Sequence, residues 1–393
     1  MNSDPVVILA ARRTPVGAFQ GALATMTAPQ LGAVAIKAAL HDSGVAPADV
    51  DEVIMGCVLS AGIGQAPARQ AAMGAGLPTS VPSTTVNKMC GSAMRAVMLG
   101  ADQILAGTAR VVVAGGLESM SNAPYLLPKA RAGFRMGHQE VLDHMFFDGL
   151  QSPWDGQMMG CFADSTAEKY EFSREAQDEF AADSVRRAQA AVNNGDFKAE
   201  VASVTAKTRK GEQIVDNDEM PFTLDIAKIP TLKPAFKKNG TVTAASSSGI
   251  SDGAAALVLV RESYAASKGL KPLARILGYT SFAREPEWFT LAPVGAIQKL
   301  LKQLNWQAAE VDLYEINEAF AAVPMAAMKD LSLDHAKLNV NGGACALGHP
   351  IGATGARILT TLLYALKKRG KKRGIASLCI GGGEATAMAI ELM

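Results

Sequence analysis

An internal repeat constrains the fold of this chain more than any other feature of its sequence. The segment from Ala35 to Asp51 reads A-I-K-A-A-L-H-D-S-G-V-A-P-A-D-V-D and aligns without a gap with A-I-Q-K-L-L-K-Q-L-N-W-Q-A-A-E-V-D, from Ala296 to Asp312. Each copy has the apolar spacing of an amphipathic helix that is followed by a turn and a strand. The repeat therefore predicts two α/β halves built on one plan.

A second correspondence extends this repeat. Val86-Asn87 precedes a Gly/Ala-rich helix and the strand V-V-V-A-G-G at 111–116, and Val340-Asn341 precedes a similar helix and S-L-C-I-G-G at 377–382. Apolar strands that alternate with helices predict mostly buried sheets covered by helices. Between the halves, at roughly 117–248, aromatic, Met, Pro and charged residues become more frequent, which predicts an inserted unit. We expect one long helix there, from Ser173 to Asn194, with Ser173 as its N-cap.

Composition and motifs exclude several classes of protein. The 38 basic and 37 acidic side chains nearly cancel, so no global field attracts nucleic acid or an anionic membrane. No apolar stretch approaches the length of a membrane span, and the start shows no targeting leader, so we expect a cytoplasmic protein. The five cysteines are widely spaced without a C-x-x-C pair, which indicates reduced thiols. P-loop, dinucleotide-binding and H-E-x-x-H motifs are missing.

Cys90 is the first candidate for chemistry. It lies in V-N-K-M-C-G-S, between a short β-like segment and a long Ala/Met-rich helix. A helix N-terminus carries a partial positive charge and lowers the pKa of a thiol from about 8.5 into the range of about 3.5–7.5. For a lone cysteine, the simpler interpretation is a small buried residue in a helix that packs on the sheet.

Three further residues are candidates, each with a simpler structural interpretation. Cys379, in L-C-I-G-G-G, closes a buried strand before a glycine loop whose backbone N–H groups could bind an oxyanion. His349 lies among glycines in G-H-P-I-G-A-T-G, where an imidazole with a near-neutral pKa can act as a base. Asn317 and Glu318 follow a strand in the second repeat and could cap the next helix. Cys57, Cys161 and Cys345 are interpreted as structural.

Together, these motifs resemble the thiolase family across essentially the whole chain. The resemblance includes G-G-L-E-S-M-S at 115–121 and G-T-V-T-A-A at 240–245, and within the family it is greatest to the biosynthetic acetyl-CoA acetyltransferases. It implies a five-layered α-β-α-β-α fold from two similar halves with an inserted loop domain. The implied boundaries are 1–120 plus 249–270 for the N-terminal half, 121–248 for the loop domain that binds coenzyme A, and 271–393 for the C-terminal half.

The resemblance also implies roles for individual residues. Cys90 would accept an acetyl group from one acetyl-CoA while His349 accepts its proton, and Cys379 would remove the α-proton of a second acetyl-CoA. His349 and a water held by Asn317 would form one oxyanion hole, and the backbone amides of Cys90 and Gly381 the other. The product would be acetoacetyl-CoA, with no metal or redox cofactor, in a homo-oligomer that is a dimer or a tetramer.

The chain departs from the family pattern at three places. Ala93 stands where glycine is common after the nucleophile, in Cys90-Gly91-Ser92-Ala93. The usual N-A-S-G reads Ser246-Ser247-Ser248-Gly249, which retains Ser248, the serine that the family pattern places against pantetheine. Met158 replaces a common histidine ahead of Met159-Gly160, which leaves the acyl-chain preference open. No arginine is assigned to the nucleotide end of coenzyme A.

Three alternatives therefore remain at this stage. A degradative 3-ketoacyl-CoA thiolase for longer chains would use the same catalytic residues. A non-catalytic acyl-CoA-binding protein could share the thiolase-like scaffold. A cysteine hydrolase could use Cys90 and His349, although it would leave Cys379 without a role.

Overall fold

The computed structural model describes residues 4–208 and 211–393, so the first three residues of the stretch inspected for a leader lie outside it. Its helices are α1 (Ala28–Ser43), α2 (Pro67–Gly74), α3 (Ser92–Ala106), α4 (Met159–Tyr170), α5 (Arg174–Asn193), α6 (Glu262–Ser267), α7 (Ala292–Leu304), α8 (Ala322–Leu331), α9 (Ala344–Leu347) and α10 (Thr354–Lys368). Among the described residues, no helix combines the length and apolar character needed to cross a membrane.

The strands form one large sheet and two small hairpins. They are β1 (Val6–Arg13), β2 (Gly17–Ala18), β3 (Glu52–Gly56), β4 (Ser83–Val86), β5 (Val111–Ser119), β6 (Tyr125–Leu126), β7 (Leu142–Asp143), β8 (Val204–Thr208), β9 (Gly211–Val215), β10 (Ser251–Arg261), β11 (Ala274–Ala283), β12 (Leu313–Ile316), β13 (Arg373–Ile380) and β14 (Glu384–Leu392). The large sheet runs in the order β12-β13-β14-β11-β1-β10-β5-β3-β4, and β2 pairs with β10.

The two halves of this sheet repeat one pattern of pairing. In the first half, β3 is parallel to β5, and β5, β10 and β1 are successively antiparallel. In the second half, β12 is parallel to β13, and β13, β14 and β11 are successively antiparallel. The halves join where β1 pairs with β11 over two residues, Val7 with Arg275 and Ile8 with Ala274. The predicted duplication is confirmed.

Two aspartates show how closely the halves correspond. Asp51 accepts hydrogen bonds from the backbone N–H groups of Arg110 (2.7 Å) and Val111 (3.0 Å). Asp312 accepts the equivalent pair from Lys372 (3.0 Å) and Arg373 (2.9 Å). Val111 is therefore equivalent to Arg373. The earlier alignment of 111–116 with 377–382 is wrong by four residues, because it matched two glycine pairs that occupy different places in the fold.

Five layers follow from three separate apolar cores. Helices α1 and α2 cover the outer face of the first half of the sheet, and α7 and α8 cover that of the second half. Helices α3 and α10 lie between the two halves, and their apolar side chains form the central core with the inward faces of both. This confirms the predicted α-β-α-β-α arrangement.

The predicted inserted unit lies between β5 and β10. It contains α4, α5 and the hairpins β6–β7 and β8–β9. Helix α5 begins after Ser173, whose side chain accepts a hydrogen bond from the backbone N–H of Ala176, and it ends at Asn193. The prediction for this helix is confirmed, and the exact domain boundaries stay a prediction.

The central helices approach the sheet so closely that glycine is required. A Cβ added to Gly116 on β5 would lie 2.1 Å from the carbonyl oxygen of Gly352 and 2.7 Å from Cβ of Ala93. A Cβ added to Gly355 would lie 2.4 Å from the backbone nitrogen of Met94. These contacts hold the first turns of α3 and α10 against each other and against β5.

We expect Gly116→Ala to lower the free energy of unfolding by about 1–3 kcal/mol or more, because the added methyl group meets backbone atoms that cannot rotate away. Denaturation in urea measures this. Gly278→Ala is the matched control, since Gly278 is also a buried strand glycine but its nearest neighbours, 3.3 Å from an added Cβ, are the ends of flexible side chains. Equal losses in both variants would contradict the proposed close approach.

Candidate active site

Cys90 lies in a tight turn between β4 and α3, as the sequence predicts. Ser92 holds this turn: its hydroxyl accepts a hydrogen bond from the backbone N–H of Lys88 (2.8 Å) and donates one to the carbonyl of Met89 (2.6 Å). Met89 has a φ of 46°, in the left-handed region that L residues seldom adopt. The C-G-S motif is therefore a turn that positions a thiol immediately before a helix.

This turn packs against the hairpin that joins β13 to β14. A Cβ on Gly91 would lie 2.3 Å from Cδ1 of Ile380, so glycine permits the approach. The backbone N–H groups of Gly381 and of Cys90 both favour the thiolate of Cys90. Cys379, fully buried on β13, is near enough for Cys90 to affect its pKa. The structure thus brings Cys90, Cys379 and Gly381 together.

Both thiols have raised pKa values. Burial raises the pKa of Cys90 to about 11 and outweighs the two backbone N–H groups. Burial, followed by the effect of Cys90, raises the pKa of Cys379 well above its usual value. The expectation that the helix N-terminus would lower the pKa of Cys90 is wrong, because loss of hydration of the thiolate is the larger effect. Both thiols are protonated at neutral pH.

The backbone of the glycine-rich segment fixes the place of His349. Its N–H donates a hydrogen bond to the carbonyl of Gly249 (3.0 Å). Gly348 has a φ of 94°, and a Cβ there would lie 2.6 Å from Oγ of Ser251. Only glycine meets both the conformational and the steric requirement.

The imidazole of His349 is buried and neutral. Its Nδ1 lies 2.6 Å from Oγ1 of Thr354. Its Nε2 is buried without a hydrogen-bond partner among residues 4–208 and 211–393. Burial, reinforced by the positive charge of Arg357, lowers the pKa of His349 to about 3. The ring is therefore neutral at neutral pH, and the expectation of a near-neutral pKa for His349 is wrong.

Asn317 lies beyond the end of β12, where its backbone N–H donates to the carbonyl of Ser377 (3.0 Å). Its side chain is 1% exposed, and neither Oδ1 nor Nδ2 has a partner in the described part of the chain. Helix α8 begins at Ala322 without a side-chain cap, so the capping interpretation is wrong. Because an unpaired buried amide costs free energy, this one indicates a position for a bound polar group.

Glu318, beside Asn317, has a structural environment. Its carboxylate accepts hydrogen bonds from Oγ of Ser184 (2.6 Å), Nδ2 of Asn339 (2.8 Å) and the backbone N–H of Cys345 (3.1 Å). Burial raises the pKa of both Glu318 and Cys345. Cys345, which lies close to His349 in sequence, is therefore tied to Glu318.

A cavity of about 530 Å³ opens beside His349. The three residues expected to contact coenzyme A, Ser248, Met158 and Met159, all line it. Its remaining wall is largely apolar and includes Met120, Phe146, Leu150, Phe236, Phe320 and Ile351.

The predicted site residues form two adjoining groups. Cys90, Cys379, Asn317 and Gly381 do not line the cavity. Cys90 nevertheless packs in one apolar cluster with Met120 and Ile351 of the cavity wall. A Cβ on Gly381 would lie 3.6 Å from Sδ of Met159. The cavity wall therefore reaches the thiol cluster on two sides.

Two residues that the sequence interpretation passed over support this site. Glu118, fully buried, accepts hydrogen bonds from the backbone N–H groups of Val58 (3.0 Å), Leu59 (3.1 Å) and Gly352 (2.8 Å), and burial raises its pKa to about 7. The carboxylate thereby ties the segment after His349 to the loop after β3. Thr354 contacts the imidazole directly. The sequence contained a signal for each residue. Glu118 is an acidic residue inside an otherwise apolar strand, and Thr354 has a hydroxyl about one helical turn beyond His349.

Comparisons with known proteins agree with this geometry. The family model described as "Thiolase, N-terminal domain" matches residues 6–263, and the one described as "Thiolase, C-terminal domain" matches residues 270–392. An acetyl-CoA acetyltransferase of Cupriavidus necator is 51% identical over 390 residues, which cover 98% of this chain and 99% of the relative.

Two solved structures are also similar over nearly the whole chain. One is a Bacillus anthracis acetyl-CoA acetyltransferase, with a TM-score of 0.97, 44% identity and coverage of 99% of both chains. The other is a thiolase from Ascaris suum in complex with coenzyme A, with a TM-score of 0.94, 41% identity and coverage of 99% of this chain and 100% of that one. The two family models together span nearly all of the sequence, and the chain belongs to the thiolase family.

Proposed function

We propose that this thiolase is an acetyl-CoA acetyltransferase, an enzyme that condenses two acetyl-CoA molecules to acetoacetyl-CoA and coenzyme A and catalyses the reverse thiolysis. One observation carries the proposal: two thiols, the partly buried Cys90 and the buried Cys379, lie together, and the backbone N–H of Gly381 is directed at Cys90. Two thiols allow one to carry the acyl group while the other acts as a base. The names of the relatives described above support the same substrate.

In the first step, Sγ of Cys90 attacks the thioester carbonyl of acetyl-CoA. The proton of Cys90 passes to Nε2 of His349, which has no other partner in the described chain. The bond to the coenzyme A sulfur breaks as the new thioester forms, and the departing thiolate takes the proton of Cys379. The result is acetyl-Cys90, protonated His349 and a thiolate at Cys379.

In the second step, the thiolate of Cys379 removes the α-proton of a second acetyl-CoA. The carbanion attacks the carbonyl of acetyl-Cys90, a carbon–carbon bond forms, and the bond to Sγ breaks. The thiolate of Cys90 then recovers the proton held by His349. Negative charge on the oxygen of each intermediate requires fixed donors, and each such donor contributes roughly 100- to 1000-fold in rate. We assign these donors to the amides of Cys90 and Gly381, and to His349 with a water on Asn317.

We place the pantetheine arm of coenzyme A in the cavity beside His349. Ser248 offers a hydroxyl there, and Met158 and Met159 offer apolar contact. The chemistry proposed here uses side chains and backbone amides of this chain and one water on Asn317, without a metal or redox cofactor. The same proposal includes a cytoplasmic homo-oligomer, either a dimer or a tetramer.

The three alternative functions place different requirements on this site. A degradative thiolase for longer chains needs room for an extended acyl group beside Cys90. A non-catalytic binding protein does not need the paired thiols. A cysteine hydrolase does not need Cys379, yet Cys379 lies beside Cys90 and the amide of Gly381.

The division of labour between the thiols can be tested by mass spectrometry of the intact protein. After mixing with acetyl-CoA, we expect the wild type and Cys379→Ser to gain one acetyl group on Cys90, and Cys90→Ala to gain none. The rate of condensation should fall by at least about 100-fold in Cys379→Ser. A serine hydroxyl is a far weaker acid than a thiol, so it does not provide the anionic base that the thiolate of Cys379 provides. Cys161→Ser is the control for removing a partly buried thiol outside the cluster. Full condensation activity in Cys379→Ser would remove its role as the base.

The raised pKa of Cys90 predicts how fast the free enzyme is alkylated. Since the thiolate is the nucleophile, alkylation of Cys90 by iodoacetamide should rise about tenfold per pH unit between about pH 6 and pH 9, without a plateau, because its pKa of about 11 lies above this range. Peptide mapping after short exposures measures the rate at Cys90 alone. A rate that is flat across this range would show a thiolate–imidazolium pair in the resting enzyme.

Acyl-chain preference separates the biosynthetic from the degradative assignment. Thiolysis of acetoacetyl-CoA should have a kcat/KM at least about tenfold higher than that of a longer 3-ketoacyl-CoA, since a mismatch of one or more methylenes in an apolar pocket changes rates by about 10- to 200-fold. The same assay on Met158→His tests whether Met158 sets this preference. A clear advantage for the longer substrate would overturn the assignment.

A further inference from the structure

Thr354, the first residue of α10, has two hydrogen-bonding neighbours. Its Oγ1 lies 2.6 Å from Nδ1 of His349 and 2.9 Å from the carbonyl oxygen of Pro350. The side chain is fully buried, so water does not compete for the hydroxyl. A threonine hydroxyl carries one proton, so it donates to only one of these neighbours.

Counting protons distinguishes the two possible arrangements. If Thr354 donates to Pro350, whose carbonyl can only accept, then Nδ1 of His349 carries the ring proton and donates to Oγ1, and two hydrogen bonds form. If Thr354 donates to Nδ1 instead, only one forms. The ring proton is then on Nε2, where it has no acceptor among the residues that the structure describes. Buried unpaired N–H groups are rarer than unpaired acceptors, so the number of hydrogen bonds and the unpaired N–H both favour the first arrangement.

We infer that Thr354 is a positioning residue that fixes the tautomer of His349, with the proton on Nδ1 and a free lone pair on Nε2. The inference rests on the proposed function, because it gives this lone pair the task of accepting the proton of Cys90. Thr354 holds its own orientation through Pro350, the residue next to His349, so the ring and its hydrogen-bond acceptor belong to one rigid turn.

This arrangement also determines which ring nitrogen can react. The other tautomer would present an N–H at Nε2, and such a nitrogen cannot accept a proton from a thiol. Each molecule in the wrong tautomer is therefore inactive in acylation until the ring exchanges its proton. The loss would affect the rate of acylation and leave the binding of acetyl-CoA unchanged.

Helix α10 provides a matched control residue. Thr360 is also fully buried, and its Oγ1 donates to the carbonyl of Ala356, four residues earlier, at 2.8 Å. Thr354 and Thr360 therefore share residue type, helix, burial and a hydrogen bond to a carbonyl of the preceding turn. Only Thr354 contacts a histidine ring.

The direct test is nitrogen NMR of the free, full-length enzyme with isotope-labelled histidine rings. His349→Asn identifies the signals of His349 among the five histidines of the chain. In the wild type we expect Nδ1 to be protonated and Nε2 to be unprotonated at neutral pH. In Thr354→Val the signals should shift toward the other tautomer, whereas Thr354→Ser and Thr360→Val should keep the wild-type pattern. An unprotonated Nδ1 in the wild type would overturn the inference without any variant.

Rapid mixing with acetyl-CoA then measures acylation of Cys90. We expect Thr354→Val to slow it on the order of tenfold with an unchanged KM, the effect of one net hydrogen bond, and Thr354→Ser to restore it. Equal losses in Thr354→Val and Thr360→Val, or a wild-type rate in Thr354→Val, would overturn the inference. Absence of any acetyl adduct in the wild type would instead refute the proposed function, and the NMR result would still stand as a test of the tautomer.

Discussion

The close crossing of α3 and α10 is the constraint on which the active site depends. Gly355 leaves no Cβ between the backbones of the two helices, and Gly116 leaves none between β5 and the start of each helix. Cys90 precedes α3, and His349 precedes α10. The contact between these helices joins the two halves, and it therefore also fixes the position of one candidate catalytic segment relative to the other. Duplication of one α/β half therefore produces a site that neither half contains.

Burial is the dominant electrostatic influence in this site. It raises the pKa of both thiols and lowers that of His349, so the resting residues are neutral. In the proposed mechanism, charge appears only during reaction, and the fixed amides of Cys90 and Gly381 are the groups assigned to stabilise it. Because these donors are backbone groups held by a turn and a hairpin, they require no reorganisation at that moment. In the described part of the chain, the side-chain atoms of Asn317 and Nε2 of His349 are buried without partners, and the proposed mechanism assigns them to the reacting groups.

Sequence patterns predicted the duplication and the long helix α5, and the resemblance to thiolases implied the five layers and the clustering of Cys90 with Cys379. They failed where the answer depends on three-dimensional contacts. The pKa of Cys90 follows from how deeply its turn is enclosed, which local sequence does not show. The role of Glu118 depends on three backbone N–H groups from two distant segments. The alignment of 111–116 with 377–382 was wrong because it matched identical glycines. The correct alignment follows from Asp51 and Asp312, which bind equivalent backbone N–H groups at the starts of β5 and β13.

The position of the inserted unit also has a consequence for how the chain folds. Strand β10 lies between β1 and β5, yet it is separated from both by the whole insertion. During synthesis, the first half cannot complete its sheet until Arg261 has left the ribosome, whereas the second half is continuous from Ala274 to Leu392. Non-local strand pairing of this kind slows folding and leaves β1 and β5 with open edges in the meantime. Unpaired strand edges of this kind favour aggregation, so the insertion lengthens the period in which the nascent first half is exposed to it.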